Sequence, residues 1–446
     1  MTRLICGLVA ALLCLGSTAW AGDVTSFSLT NGLQVVVIED HRAPVVTQTI
    51  WYRAGSGDER RGKSGIAHFL EHLMFKGTRA VPSGEFSKIV EANGGDDNAF
   101  TTADHTAYFQ RLAADRLGLV MRMEADRMRG LILSEDGVKT ERQVILEERS
   151  QRIDSQPEAL FGEQMMAAQF LNQPDGTPVI GWRHEMERLS RQDALDWYRL
   201  YYAPNNATLV VAGDVARAAV RRLAEKYYGP IKPSPGIHAR VRPSEPPQLA
   251  ERRLAFADPN IAQPYVTRSY LAPQRKAGAQ QQAAALEFLA ALLGGSQTSL
   301  LSKALVFDQK IAVGAAAGYD GLSLDATTFS LYIQPAPGIA LGDAEAAMDK
   351  VIADFLKNGI DPDQFRRLKT RIAAQLVYQK DNVGDLANDY GAGLSSGLTL
   401  KDVEDWPAVL QSVTEDQVMA AARALFDRRH SVTGWAMRSA DEEKVQ

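Results

Sequence analysis

His68, Glu71 and His72 fall within five residues of one another, in the run SGIAHFLEHLMFKGT that spans 64–78. Ala67, Leu70, Leu73 and Met74 recur at helical spacing, so the run reads as a helix, with Ser64 as its expected N-cap. Residues four apart on a helix share a face, about 6 Å apart along the axis. Two imidazoles so placed can close on one divalent cation, with nitrogen–zinc distances of ~2.0–2.1 Å. Glu71 leans toward the same face, beside both rings, where a carboxylate can serve water activation as a general base. The order H-x-x-E-H is the reverse of the H-E-x-x-H arrangement.

A zinc site needs a third protein ligand. Residues 139–152, KTERQVILEERSQR, form an acidic, helix-favouring stretch. Glu141 and Glu148 are seven apart, two helical turns, and share a face to within about 20°. Glu147 points roughly 100° away. Periodicity therefore pairs Glu141 with Glu148, with Ile145 between them, and leaves open which of the two touches the metal.

The elements that must position these residues fall into two halves. The break is 229–248, GPIKPSPGIHARVRPSEPPQ, which holds six of the chain's 19 prolines. Proline continues neither a helix nor a central strand, so this stretch reads as a linker and hinge candidate between domains 22–228 and 249–446. The first half opens with strand-like runs at 25–29, 33–39 and 45–52 and closes with one at 207–212. The second opens with strand-like 251–257 and 265–271, continues through helical 280–293 and 344–356, and closes with 431–437. Strand runs flanking helical blocks argue for an α+β fold, and the shared order suggests duplication.

Composition narrows the function. The chain has 446 residues, 45% hydrophobic and 23% charged, with a net charge of −5. That excludes a disordered tail, a collagenous fibre and a polytopic membrane protein, and the lack of a basic surplus argues against nucleic acid as a partner. Residues 1–21, MTRLICGLVAALLCLGSTAWA, combine Arg3, an apolar run from Leu4 to Leu15 and the A-x-A site Ala19–Ala21. This is a secretory signal pattern, too short to span a bilayer, and it implies a mature chain from Gly22 in the periplasm. Both cysteines, Cys6 and Cys14, lie inside it, so the mature chain has no disulfide.

Taken together, the sequence resembles the pitrilysin-like zinc peptidases, which include insulin-degrading enzyme and mitochondrial processing peptidase. The resemblance rests on Asn31-Gly32-Leu33, Gly55–Glu59, His68–Thr78, Gly94-Gly95, Asn98–Thr101, Asp104–Tyr108, Glu141–Glu148, Pro178–Gly181 and Tyr202–Gly213. It implies two homologous halves, each an antiparallel sheet with helices packed on one side, forming a clam-like chamber. It implies His68, His72 and Glu148 as ligands of one Zn2+ per chain, Glu71 as general base and Glu141 as a supporting carboxylate. Asn98 and Ala99 would sit on a strand edge that binds extended peptide substrate by backbone pairing.

The sequence departs from the family in one place. Family members that carry the full site have an Arg and a Tyr seven apart in the half facing the zinc. Aligning Ser299, Leu301 and Leu305 puts Val306 and Val313 at those positions. Two explanations follow: a homologous subunit supplies the pair in a heterodimer, or nearby Lys310 and Tyr319 serve instead. The first is preferred over the second and over a homodimer. The resulting expectation is a periplasmic zinc endopeptidase of unfolded peptides. The alternative is a non-catalytic assembly or binding subunit of the same fold.

Overall fold

The computed structural model describes residues 24–379 and 381–439. The signal segment 1–21 lies outside the described residues. Among those described, no helix is long and apolar enough to cross a membrane.

Eleven strands are described: β1 (Val24–Ser28), β2 (Gln34–Glu39), β3 (Val45–Tyr52), β4 (Asp96–Thr101), β5 (Thr106–Ala113), β6 (Ala207–Gly213), β7 (Arg252–Asp258), β8 (Tyr265–Ala272), β9 (Ala312–Tyr319), β10 (Thr327–Pro335) and β11 (Ser431–Arg438). They form two sheets, ordered β1-β2-β6-β3-β5-β4 and β7-β11-β8-β10-β9. Leaving β1 aside, both sheets thread their five strands in the same spatial order, first-fifth-second-fourth-third. This is the repeat that the order of elements in the sequence suggested. The sheets are antiparallel apart from one pair in each, where the first strand of the five lies parallel to the last: β2 with β6 and β7 with β11.

The helices of the first half that matter here are α1 (Ile66–Leu73), α2 (Glu135–Arg149) and α3 (Pro157–Gln169). Those of the second are α4 (Gln281–Gly294) and α5 (Val383–Ser395). Each sheet packs its own helices on one face, as expected. The other face receives a helix from the opposite half. Ala387, Tyr390 and Leu394 of α5 bury against Val36, Ile38, Trp51, Val210 and Ala212 of the first sheet. In return, Phe161 and Met165 of α3 bury against Val432 and Ala436 of the second. Glycine permits both contacts. A Cβ on Gly391 would lie 2.0 Å from the Trp51 indole, and one on Gly434 would lie 2.4 Å from Phe161 and Met165. Burying side chains such as Ile38, Val210 and Leu394 is worth ~1.5–3 kcal/mol apiece, so this exchange holds the halves together.

The two sheets differ in how completely they are covered. Every residue of β6 is buried, as is every residue of β3 except its first. Burial alternates along β7 and β8. A strand buried on both faces reads as a continuous apolar run, and one with a wet face alternates.

Candidate metal centre

Helix α1 buries Ile66, Ala67, Phe69, Leu70 and Leu73. His68 and His72 are left on the side facing α2, with side chains 13% and 24% exposed. The start of α1 differs from the expectation. Gly65, at φ 84°, is the N-cap, and Ser64 does not cap the helix. Ser64 Oγ instead accepts the Trp182 N–H at 2.9 Å. The orphan N–H groups of Gly65 and Ala67 donate to the two oxygens of Glu59, each at 2.9 Å. A carboxylate from the preceding loop thus does the capping, which suits the positive end of a helix dipole.

Helix α2 starts at Ser134, whose Oγ accepts from Gly137 N at 3.0 Å. Its inward face presents Glu141 and Ile145, both buried, and then Glu148. Glu141 and Glu148 both approach His72 from this face. Glu141 Oε1 lies 3.0 Å from His72 Nδ1. Its other oxygen pairs with Lys76. Glu148 Oε2 lies 3.4 Å from His72 Nε2 and 3.7 Å from His68 Nε2. Glu147 lines the neighbouring cleft wall outside this donor group, where it accepts from Gln151 at 3.1 Å.

These positions invite a fit test for zinc. Tetrahedral zinc with ligand atoms ~2.0–2.1 Å away holds those atoms ~3.3–3.4 Å apart. The two separations from Glu148 Oε2 are that distance or slightly more. His68, His72 and Glu148 can each offer one donor atom, all within 4.8 Å of one another. Glu148 Oε2 is buried without a hydrogen-bond partner, a costly state for a carboxylate oxygen unless a cation meets it. The N, N, O donor set suits zinc, and the Glu141–His72 contact fixes which ring nitrogen of His72 faces the centre.

Burial sets the charge states. Desolvation, with His72 nearby, pulls His68 down to about 3, so the ring is neutral and its nitrogen lone pair is free to coordinate. Burial also opposes charge on His72. The Glu141 hydrogen bond, with Glu71 and Glu148 close by, outweighs it for a net rise. Burial raises Glu141, but the His72 and Lys76 hydrogen bonds bring it below the usual carboxylate range. Glu71 is raised, mainly by burial and against a hydrogen bond from Thr101 Oγ1 at 2.5 Å.

His68, Glu71, His72 and Glu148 open onto a cleft of ≈ 1200 Å³, and Asn98 and Ala99 line the same cleft. Both lie on β4, which is hydrogen-bonded to β5 on one side and is the outermost strand of its sheet. All lining residues come from 68–180. Val306 and Val313 are absent from the lining. Val306 packs against the second core, and Val313 is half exposed. The alternative donors do not reach the cleft either: Tyr319 donates to the Pro273 carbonyl, and Lys310 is exposed at φ 56°.

Four residues at the centre escaped sequence reasoning as site members. Thr101 holds Glu71, Lys76 holds Glu141, Glu59 caps α1, and Arg152 pairs with Glu148 Oε1 at 2.9 Å. Arg152 is four residues after Glu148, a spacing that announces a helical ion pair. Glu59 carries no such local signal, because its partners lie beyond a turn.

Comparison with known proteins fits this geometry. Residues 34–182 match the model described as Insulinase (Peptidase family M16), and residues 188–372 match the one described as Peptidase M16 inactive domain. A Helicobacter pylori protein named zinc protease PqqE is 31% identical over 370 residues, covering 81% of each chain. The crystal structure of a protease from Helicobacter pylori superposes with a TM-score of 0.88 at 27% identity, over 94% of this chain and all of that one. The periplasmic protease PqqL from Escherichia coli shares the fold, with a TM-score of 0.81 at 19% identity, and this chain spans 48% of it.

Proposed function

The chain belongs to peptidase family M16, and from that premise we propose that it is a zinc-dependent endopeptidase acting on unfolded peptides. The observation that carries this reading is the convergence of His68 Nε2, His72 Nε2 and Glu148 Oε2 beside Glu71, on a cleft bordered by a strand edge. His68, His72 and Glu148 would hold the cation, one Zn2+ per chain, with Glu141 orienting His72 through Nδ1. When bound, the cation supplies Lewis acidity for polarising a carbonyl and activating water.

The chain's own residues supply the rest. The free edge of β4 at Asn98 and Ala99 would pair with an extended peptide, drawing affinity from main-chain hydrogen bonds and permitting many sequences. Glu71 takes the proton of the attacking water and delivers it to the departing amide nitrogen. Thr101 holds Glu71 Oε2 in place throughout. No residue of the second half lines the cleft, and valines stand at 306 and 313. A homologous subunit bearing Arg and Tyr would therefore complete the site as a heterodimer. The signal pattern of 1–21 assigns this work to the periplasm, on domains 22–228 and 249–446.

The second reading is a non-catalytic assembly or binding subunit. It is favoured by the match of 188–372 to an inactive domain and by the two valines. It gives no reason for Glu71 and its Thr101 bond beside a full donor set. Glu71→Gln separates the two. Zinc content measured by mass spectrometry should stay at one per chain while chelator-sensitive peptide cleavage falls at least about 10³-fold. Unchanged cleavage contradicts the general-base role, and a wild type that binds zinc but cleaves nothing with or without a partner favours the second reading.

A further inference from the structure

Two arginines of the linker reach the loops that lead into the metal helix and out of the edge strand. Arg242 donates to both oxygens of Asp58, at 3.2 and 2.9 Å, and to the Ala103 carbonyl at 2.8 Å. It also donates to Asp104 at 2.6 Å and, across to the second half, to Asp325 at 3.1 Å. Arg240 donates to Asp58 at 3.2 and 3.1 Å, to the Asp104 carbonyl at 2.7 Å and to the Ser395 carbonyl, at the end of α5, at 3.0 Å. Asp104 in turn accepts the Leu324 N–H of the second half at 2.8 Å. The Arg242 side chain is 4% exposed, with Asp58 at 8% and Asp104 at 6%. A buried guanidinium held in this bidentate way is a rigid joint.

The positions of its partners matter. Asp58 directly precedes Glu59, whose carboxylate caps α1. Asp104 lies three residues after Thr101, the end of β4 and the partner of Glu71. The loops at 55–59 and 102–105 are also bonded to each other, Ser56 N to Thr102 O at 3.0 Å and Gly57 N to Ala103 O at 2.9 Å. Gly57 has no room for a side chain, since a Cβ there would lie 2.6 Å from the Arg242 guanidinium.

Resting on the zinc-peptidase reading above, we infer that Arg240 and Arg242 are positioning residues that tie the placement of α1 relative to β4, and so of the metal ligands relative to substrate, to the second half through Asp325 and Ser395. The linker is then a strut and not a slack tether. All three zinc ligands lie on α1 and α2, so loosening the joint should disturb turnover more than metal binding.

The test uses the full mature chain with zinc, together with its homologous subunit if cleavage requires one. In Arg242→Gln, amide hydrogen exchange across 55–67 and 96–105 should quicken at least tenfold well below the unfolding temperature. The kcat should fall tenfold or more, with zinc affinity, read by competition with a chromogenic chelator, kept within threefold. Wild-type exchange in both segments, or quickened exchange with unchanged kcat, overturns the inference. So does a lowered unfolding temperature with kcat per bound zinc intact, which is what a merely structural role gives. Asp325→Asn weakens one second-half arm, that of Arg242, leaves those at Ser395 and Leu324, and carries the same test if Arg242→Gln does not fold. It should lower kcat threefold or more, and wild-type kcat and exchange there overturn the inference. A wild type without peptidase activity breaks the enzymatic reading instead. In that event the strut itself stands or falls on the exchange of the two segments.

Discussion

The two halves run their strands in one order, yet they differ in cover and in chemistry. The central strands of the first sheet are buried on both faces, clamped between their own helices and α5. The second sheet leaves much of one face wet, with α3 covering β11 and its neighbours β7 and β8. The residues proposed for the chemistry all sit in the first half, and Val306 and Val313 of the second stand where the family resemblance places an Arg and a Tyr. A fixed site needs ligands held within fractions of an ångström, and a sheet gripped from both sides provides that rigidity. The second half lends a helix to support the first.

The contrast within α2 should give the largest effect. Glu148→Gln should weaken zinc binding by at least about 10³-fold, more than the 10–100-fold typical of residues that only support a ligand. Glu147→Gln, one residue earlier and outside the donor group, should leave it unchanged. Chelator competition on both variants reads the difference, and equal losses would erase the distinction between the two faces.

The contrast between halves comes next. Adding a homologous chain that bears Arg and Tyr should raise peptide turnover about 10²-fold or more over this chain alone, the scale of one oxyanion donor. Full activity of the lone chain would show that the second half needs no complement.

The exchanged helix can be broken directly. Gly391→Val drives a side chain into Trp51, and overpacking of this kind costs about 1–3 kcal/mol. The unfolding temperature should drop and trypsin should cut the linker faster. A stable variant would mean that α5 is not a clamp.

The smallest effect concerns two half-buried carboxylates. Burial raises Glu59 of the first half well above the usual carboxylate range even though two backbone N–H groups meet it. Glu287 on α4 has no hydrogen-bond partner among the described residues, and burial raises it to about 7. A carboxyl whose folded value exceeds its unfolded value near 4.5 binds more protons when folded, so stability falls as pH rises from about 4.5 to about 7 and then levels off. Glu287→Gln should therefore raise stability by about 1–3 kcal/mol at pH 8 and by little at pH 4. Denaturant titrations at the two pH values check this, and an equal effect at both would contradict it.

Much of this architecture was legible in the residues. Val45–Tyr52 read as a strand because it is an unbroken β-favouring run, and it is one. His68, His72, Glu141 and Glu148 announced themselves by helical spacing. β9 did not, because Ala312–Tyr319 is mostly alanine and glycine, which carry little strand signal. The exchange of α3 and α5 was illegible for another reason. Local periodicity shows that a helix has an apolar face and does not say which sheet it covers. The capping of α1 by Glu59 was hidden likewise, since Ser64 offered a nearer cap by local rules.

The most direct test of the whole account is anomalous X-ray diffraction at the zinc absorption edge from crystals of the mature chain. The account predicts one strong peak per chain, bonded to Nε2 of His68, Nε2 of His72 and a carboxylate oxygen of Glu148. No peak in zinc-supplemented crystals, or a peak held by other residues with Glu148 turned away, would contradict it.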